Sequence, residues 1–326
     1  MRVILSTIGI VRARAVGRLT PLLLPVALLV AALATGCGDT SGAGSGSGVN
    51  VVATTTQVAD LVRNVGGARV DLHQILQPNT DPHEYEPRPS DVKAVANAAL
   101  TVRSGGDVDD WLQDVLDNAG GSAPVLTLSE HVHTRRNDAG DLDPHWWQDP
   151  RNAELAVRAI RDALAKADPG GAAAYRRNAA RYLARLARLD RRTAACIDRI
   201  PPRLRKLVTT HDALGYYAAR YGLEVIGAVI PSLSTQAQPS AGDVQRLVDQ
   251  IERTGVKAIY PESSINPKLE QAIARESGAT TGAPLWADTL GPKGSSGATY
   301  VDSIAANTAA IVDGLSGGEQ SCVPAR

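Results

Sequence analysis

Four short segments concentrate the side chains that could hold a divalent cation. They are Asp81-Pro82-His83-Glu84-Tyr85-Glu86-Pro87, Asp143-Pro144-His145-Trp146-Trp147-Gln148-Asp149-Pro150, Thr209-Thr210-His211-Asp212-Ala213 and Leu285-Trp286-Ala287-Asp288-Thr289-Leu290-Gly291-Pro292. If brought together, the imidazoles of His83, His145 and His211 and the carboxylate of Asp288 make a four-coordinate nitrogen/oxygen set. Such a set suits Zn²⁺ at about 2.0–2.2 Å. Neutral rings leave the divalent charge uncompensated, and one carboxylate brings the site to a net +1. Glu84, Asp212 and Glu262 are carboxylates that could orient a ring by accepting its second N–H. The four segments are far apart in the chain and form no local motif. Residue chemistry therefore leaves open that each histidine is an ordinary loop or core residue.

The pattern around these segments is that of an α/β protein. Val51 to Thr55, Val70 to Leu76, Leu100 to Val102 and Val125 to Leu128 are short and rich in β-branched or aliphatic residues, as strands are. Between them, Gln57–Val65, Asp91–Ala99 and Val108–Asn118 are expected to be helices. From Asn152 to about Ile200 the sequence is helical, with one break at Asp168-Pro169-Gly170-Gly171. After Pro201-Pro202 the alternation resumes, with strands at 206–210, 223–229 and 258–260. Helices are expected at 215–221, 241–254, 267–277 and 300–315. Strands alternating with helices imply a parallel sheet covered on both faces. The expectation is two α/β lobes, 51–168 and 201–326, joined by a rigid connecting helix within 169–200. Each candidate segment falls on a strand end or an inter-element loop, where α/β proteins bind ligands.

Composition narrows the functional classes. Lys plus Arg and Asp plus Glu number 34 each in 326 residues, so no positive surplus is available for a phosphate backbone, and nucleic acid is not expected as a partner. Arg2, Arg12, Arg14 and Arg18 precede the apolar run Leu19–Ala34, which is shorter than the ~20 residues of a spanning helix. That is the order of a secretory signal, expected at 1–36. Without those arginines, 30 basic groups face 34 acidic ones, a net charge of −4. Leu33-Ala34-Thr35-Gly36-Cys37 resembles a bacterial lipobox, which implies a lipidated Cys37. A Gly/Ser-rich tether follows to residue 50. Cys196 and Cys322 then remain, and export favours their pairing; two free thiols are the alternative.

The four segments closely resemble the zinc- and manganese-binding solute-binding proteins of ABC importers. So do the stretches Val256–Lys268 and Gly291–Tyr300, and the likeness runs from about Val51 to Leu315. It implies two lobes joined by one long helix, with the metal held between them by His83, His145, His211 and Asp288. It also implies an exported, lipid-anchored, monomeric receptor with a permease and its ATPase subunit as partners. In this family the third position is usually His in zinc-preferring members and Glu in manganese-preferring ones, so His211 points to Zn²⁺ as transported ligand. Residues 232–241 look more like manganese-type or mixed members, which keeps Mn²⁺ as the alternative. His131 and His133 are either an accessory site or part of a solvated loop, and His73 is expected to be structural. A metal-dependent hydrolase is the rival from another class. It would need an open metal position, and neither HExxH nor GxSxG occurs.

Overall fold

The structure is a computed structural model that describes residues 48–120, 124–137 and 139–324. The segment read as a signal peptide, Cys37 and all but the end of the tether lie outside the described residues. The first lobe comprises β1 (Val49–Ala53), α1 (Thr56–Gly66), β2 (Val70–Gln74), α2 (Pro89–Ala96), β3 (Leu100–Arg103), α3 (Leu112–Ala119) and β4 (Val125–Thr127). Two long helices follow, α4 (Pro150–Ala167) and α5 (Ala172–Ile197). The second lobe holds β5 (Lys206–His211), α6 (Gly215–Tyr221), β6 (Glu224–Ile230), α7 (Ala241–Thr254), β7 (Ala258–Tyr260), α8 (Lys268–Ser277), β8 (Thr280–Thr281) and α9 (Tyr300–Leu315).

Both sheets are parallel throughout and share one topology, β2-β1-β3-β4 and β6-β5-β7-β8. In each, the chain leaves the first strand in one direction and later returns to its other side. A crevice opens at the carboxyl ends of the strands where that reversal occurs. His211 is the last residue of β5, and Glu262 follows β7 by two residues, so both stand at the crevice of the second sheet.

Local chemistry accounts for the element ends. Thr55 caps α1 by accepting from Val58 N, Ser240 and Asp243 form a reciprocal capping box on α7, and Gly255 closes α7 at φ 68°. One expected helix differs. Residues 107–109 form a 3₁₀ turn and α3 begins only at Leu112. The cause is Asp109, whose buried carboxylate accepts from Ser104 N (2.6 Å), Gly105 N (3.0 Å) and Thr54 Oγ1 (2.7 Å) and so turns the chain inward. The first strand starts at Val49, two residues before the expected boundary. β8, only two residues long, had no recognisable strand pattern.

The expected strut is part of the core. Tyr175, Ala179, Tyr182, Leu186 and Leu189 of α5 are buried against α1, α4 and α9. One apolar cluster runs continuously from β1, α1 and α4 through α5 to α6, β7 and α9, with smaller clusters under α7/α8 and under α2/α3. Each large aliphatic buried here contributes roughly 1.5–3 kcal/mol, so a wide hinge between the lobes would expose far more than thermal energy offsets. Cys196 at the end of α5 is joined to Cys322 by a disulfide with Cα atoms 5.5 Å apart. Among the described residues no helix is long and apolar enough to cross a membrane.

Candidate metal centre

The crevice edges of the two sheets face each other, and the four candidate side chains converge there. One ligand atom from each of His83, His145, His211 and Asp288 lies within 4.8 Å of all the others. His211 Nε2 is 3.3 Å from His145 Nε2 and 3.0 Å from Asp288 Oδ2. His83 Nε2 is 3.2 Å from Asp288 Oδ2, and His145 Nε2 is 3.5 Å from Asp288 Oδ1. Donors about 2.0–2.2 Å from one ion in a tetrahedral arrangement stand roughly 3.3–3.6 Å apart. The separations of 3.0–3.5 Å lie near that range, and the whole set, spread over 4.8 Å, would have to draw in around an ion.

The polar bookkeeping points the same way. His83 Nε2 and both oxygens of Asp288 are buried without a hydrogen-bond partner. Groups orphaned in this way are costly unless something charged sits among them. All three rings present Nε2 inward. For two of them the tautomer is set from behind: Asp143 Oδ1 lies 2.8 Å from His145 Nδ1, and Glu262 Oε2 lies 3.0 Å from His211 Nδ1. A carboxylate beside Nδ1 favours the proton there and leaves the Nε2 lone pair free for a cation; the hydrogen bond is formed at Asp143, while Glu262 Oε2 stands within ion-pair distance.

Asp288 is supplied by the second lobe but anchored to the first. The neighbouring Ala287 carbonyl accepts from Trp147 Nε1 (2.9 Å), Gln148 Nε2 (2.9 Å) and Gln57 Nε2 (3.4 Å), and Leu290 N donates to Thr56 Oγ1 (2.8 Å). Tyr216 of α6 reaches the other way and donates to the Asp143 carbonyl (3.0 Å).

The electrostatics follow from burial in each other's company. For His145, burial works against the charged ring, but Asp288 and Asp143 overcome it and push its pKa up to about 9. For His211, Asp288 and Glu262 likewise outweigh burial and raise the pKa well above the usual value. Burial pulls Asp288 upward, yet the His211 and His145 rings hold it well below the ordinary carboxylate range. The cluster thus prefers positive charge at its centre, whether as protons or as a cation, and capture of a cation must expel the protons.

Of the carboxylates singled out as ring partners, only Glu262 stands against a ring. Glu84 is exposed on its turn. Asp212 is partly buried with its pKa raised chiefly by burial, and its carboxylate forms no ion pair with any of the rings among the described residues. The partner that sequence reasoning missed is Asp143. Its signal was the Asp-Pro-His spelling two residues ahead of His145. His131 and His133 are exposed and outside the cluster, and His73 on β2 is half-exposed, 3.5 Å from Asp91.

Residues 51–314 match the family described as zinc-uptake complex component A, periplasmic (ZnuA). The manganese-binding lipoprotein MntA of Halalkalibacterium halodurans is 31% identical over 294 residues, which is 89% of this chain and 97% of the relative. MntA of Bacillus subtilis is 34% identical over 288 residues, 85% of this chain and 94% of the relative. Among solved structures, the periplasmic zinc-binding protein TroA from Treponema pallidum superposes with a TM-score of 0.76 at 30% identity, covering 81% of this chain and 98% of its own.

Proposed function

The chain belongs to the family of periplasmic zinc-uptake component A proteins, and on that footing we propose that it captures Zn²⁺ between its lobes and delivers it to the permease of an ABC importer. As a member it is a metal-binding receptor of such an importer and not an enzyme. The observation that carries the zinc reading is the donor set: three Nε2 atoms and one carboxylate, converging within 4.8 Å of one another, with His83 Nε2 and both Asp288 oxygens buried and without a hydrogen-bond partner. Imidazole nitrogen suits a borderline-soft ion, whereas Mn²⁺ favours more oxygen. His83, His145, His211 and Asp288 are the proposed ligands, with Glu262 and Asp143 orienting His211 and His145.

A manganese or mixed-metal receptor is the second reading, and two observations favour it. The curated relatives MntA are named manganese-binding. Both oxygens of Asp288 also face the rings, so a bidentate carboxylate could raise the coordination number.

The rest of the reading follows the family. Residues 1–36 would direct export, lipidated Cys37 and the tether to residue 50 would hold the protein at the outer face of the cytoplasmic membrane, and a permease with its ATPase would accept the ion. The relatives' description as lipoproteins supports this. We assign the lobes to 51–168 and 201–326 with the connector at 169–200, supported by the place of α5 between the two sheets in sequence, and we take the working unit to be a monomer.

The test is competitive titration of the purified, metal-stripped protein with Zn²⁺ and Mn²⁺, repeated on His211→Ala. One tightly bound Zn²⁺ that Mn²⁺ does not displace, weakened sharply by the substitution, is expected. Comparable affinity for Mn²⁺ moves the protein to the second reading. No stoichiometric binding of either ion overturns both.

A further inference from the structure

His83 differs from the other three donors in how it is held. It sits on a 3₁₀ turn of only three residues, Pro82–Glu84, and among the described residues its ring forms an ion pair with Asp288 alone. Within its own lobe the turn is secured by Trp111 Nε1 donating to the Pro82 carbonyl (3.2 Å) and by Asp81 Oδ1 accepting from His83 N (2.9 Å). The other lobe completes the support. Thr235 Oγ1 donates to Asp81 Oδ2 (2.7 Å), and Gln236 Nε2 donates to the His83 carbonyl. Thr235 is buried, and it lies in the irregular stretch between β6 and α7, which is folded on itself by Ser232 and Ser234 side-chain turns.

We propose that Thr235 is a positioning residue: by clamping the carboxylate that caps His83, it holds this ligand in place from the opposite lobe and sets how long the ion stays bound. Asp81 uses one oxygen for the His83 main chain and the other for Thr235, so the threonine fixes the rotamer on which the cap depends. The wide apolar core shared by the lobes resists hinge opening, and His83 is the donor with the fewest anchors. Its turn is therefore the part of the site that local movement frees first. Parting of residues 235–236 from residues 81–83 would break two of its supports at once. The inference rests on the receptor reading above.

The test is stopped-flow release of Zn²⁺ from the loaded full-length protein into excess chelator. The variants are Thr235→Val, which keeps shape without the hydroxyl, and Thr235→Ser, which keeps the hydroxyl. Loss of one hydrogen bond to a charged acceptor predicts release faster by about ten-fold or more in Thr235→Val. Stoichiometry should remain one ion, the metal-free Thr235→Val protein should lose no more stability than one hydrogen bond to a charged acceptor contributes, and Thr235→Ser should restore the wild-type rate. Release from Thr235→Val within twofold of wild type, while the wild type binds one ion, overturns the latch alone. A wild type that binds no ion overturns the receptor reading and the latch with it.

Discussion

Asp-Pro-His occurs twice in this chain, at 81–83 and at 143–145, and the two copies do different work. In both, the first oxygen of the aspartate accepts from the histidine main-chain N–H, at 2.9 Å and 3.0 Å. At the second copy the same oxygen also meets the ring nitrogen of His145, and the other oxygen takes Arg135 Nη1 at 2.7 Å. At the first copy the ring of His83 pairs with Asp288, and the other oxygen of Asp81 accepts from Thr235 of the opposite lobe. One tripeptide thus yields a charge-backed histidine ring in one place and a histidine turn steadied by the opposite lobe in the other. The difference lies in what packs behind the turn: a guanidinium from a neighbouring loop, or a hydroxyl from the other lobe.

The charges of the two aspartates reflect this. Burial pushes Asp143 upward, but hydrogen bonds from His145 and Arg135 bring its pKa below the ordinary value. Asp81 has its pKa raised by burial first, with the hydroxyl of Thr235 only partly offsetting that and Asp288 and Glu262 adding to it.

The comparison can be broken most directly by removing the rings. A four-ligand zinc site worth about 10–16 kcal/mol contributes roughly 3 kcal/mol per ligand, or about 100-fold in affinity. His145→Ala, at the fully buried position, should weaken Zn²⁺ binding by at least that factor in a chelator-competition titration. His83→Ala should cost less, because water can reach the vacated place. Equal losses would show the two turns to be equivalent.

Asp143→Asn comes next. The new amide N–H₂ must face either the Arg135 guanidinium or the ring N–H, donor against donor, so affinity should fall by about 10-fold, in the range seen when such partners are lost. Asp81→Asn, measured the same way, should stay within about threefold. Its carbonyl oxygen can keep the cap on His83 N while its amide donates to Thr235 Oγ1. An Asp81→Asn loss as large as that of Asp143→Asn would mean that the charge at 81, not its hydrogen bonds, matters.

The smallest effect is in the pH dependence of metal-free stability, read from denaturant unfolding. Asp143, with its folded pKa lowered, stabilises the fold fully above the unfolded value near 3.9 and loses that contribution as pH falls through its lower folded pKa. The destabilisation by Asp143→Asn should therefore be present at neutral pH and shrink in strong acid. Asp81, with its folded pKa raised, burdens the fold once ionised, starting at the unfolded value and complete above the folded one. Asp81→Asn should be neutral at low pH and gain relative stability as pH rises. Parallel pH profiles for the two variants would contradict the contrast.

Much of the fold was legible because it depends on local periodicity. Strands of β-branched residues alternated with helices closed by Gly or capped by Ser and Thr, and the long helical middle broke where Asp168-Pro169-Gly170-Gly171 breaks it. The two-residue β8 and the 3₁₀ turn at Asp107–Asp109 were not legible. The first is too short to carry a pattern, and the second is made by a carboxylate binding the main chain just after β3 and the Thr54 hydroxyl at the end of β1.

The site divides along the same line. Residue type made His83, His145, His211 and Asp288 candidates, because imidazole and carboxylate bind a divalent ion, and the family resemblance of their segments singled them out. Which carboxylates back the rings was decided in three dimensions. Glu84 and Asp212 lie next to His83 and His211 in sequence yet form no ion pair with either ring among the described residues, while Glu262 arrives from the adjacent strand and Asp143 from a turn closed by Arg135. Ligand chemistry is a property of a side chain and can be read from its letter. Orientation belongs to the packing between strand ends that are distant in sequence, and only the folded chain determines it.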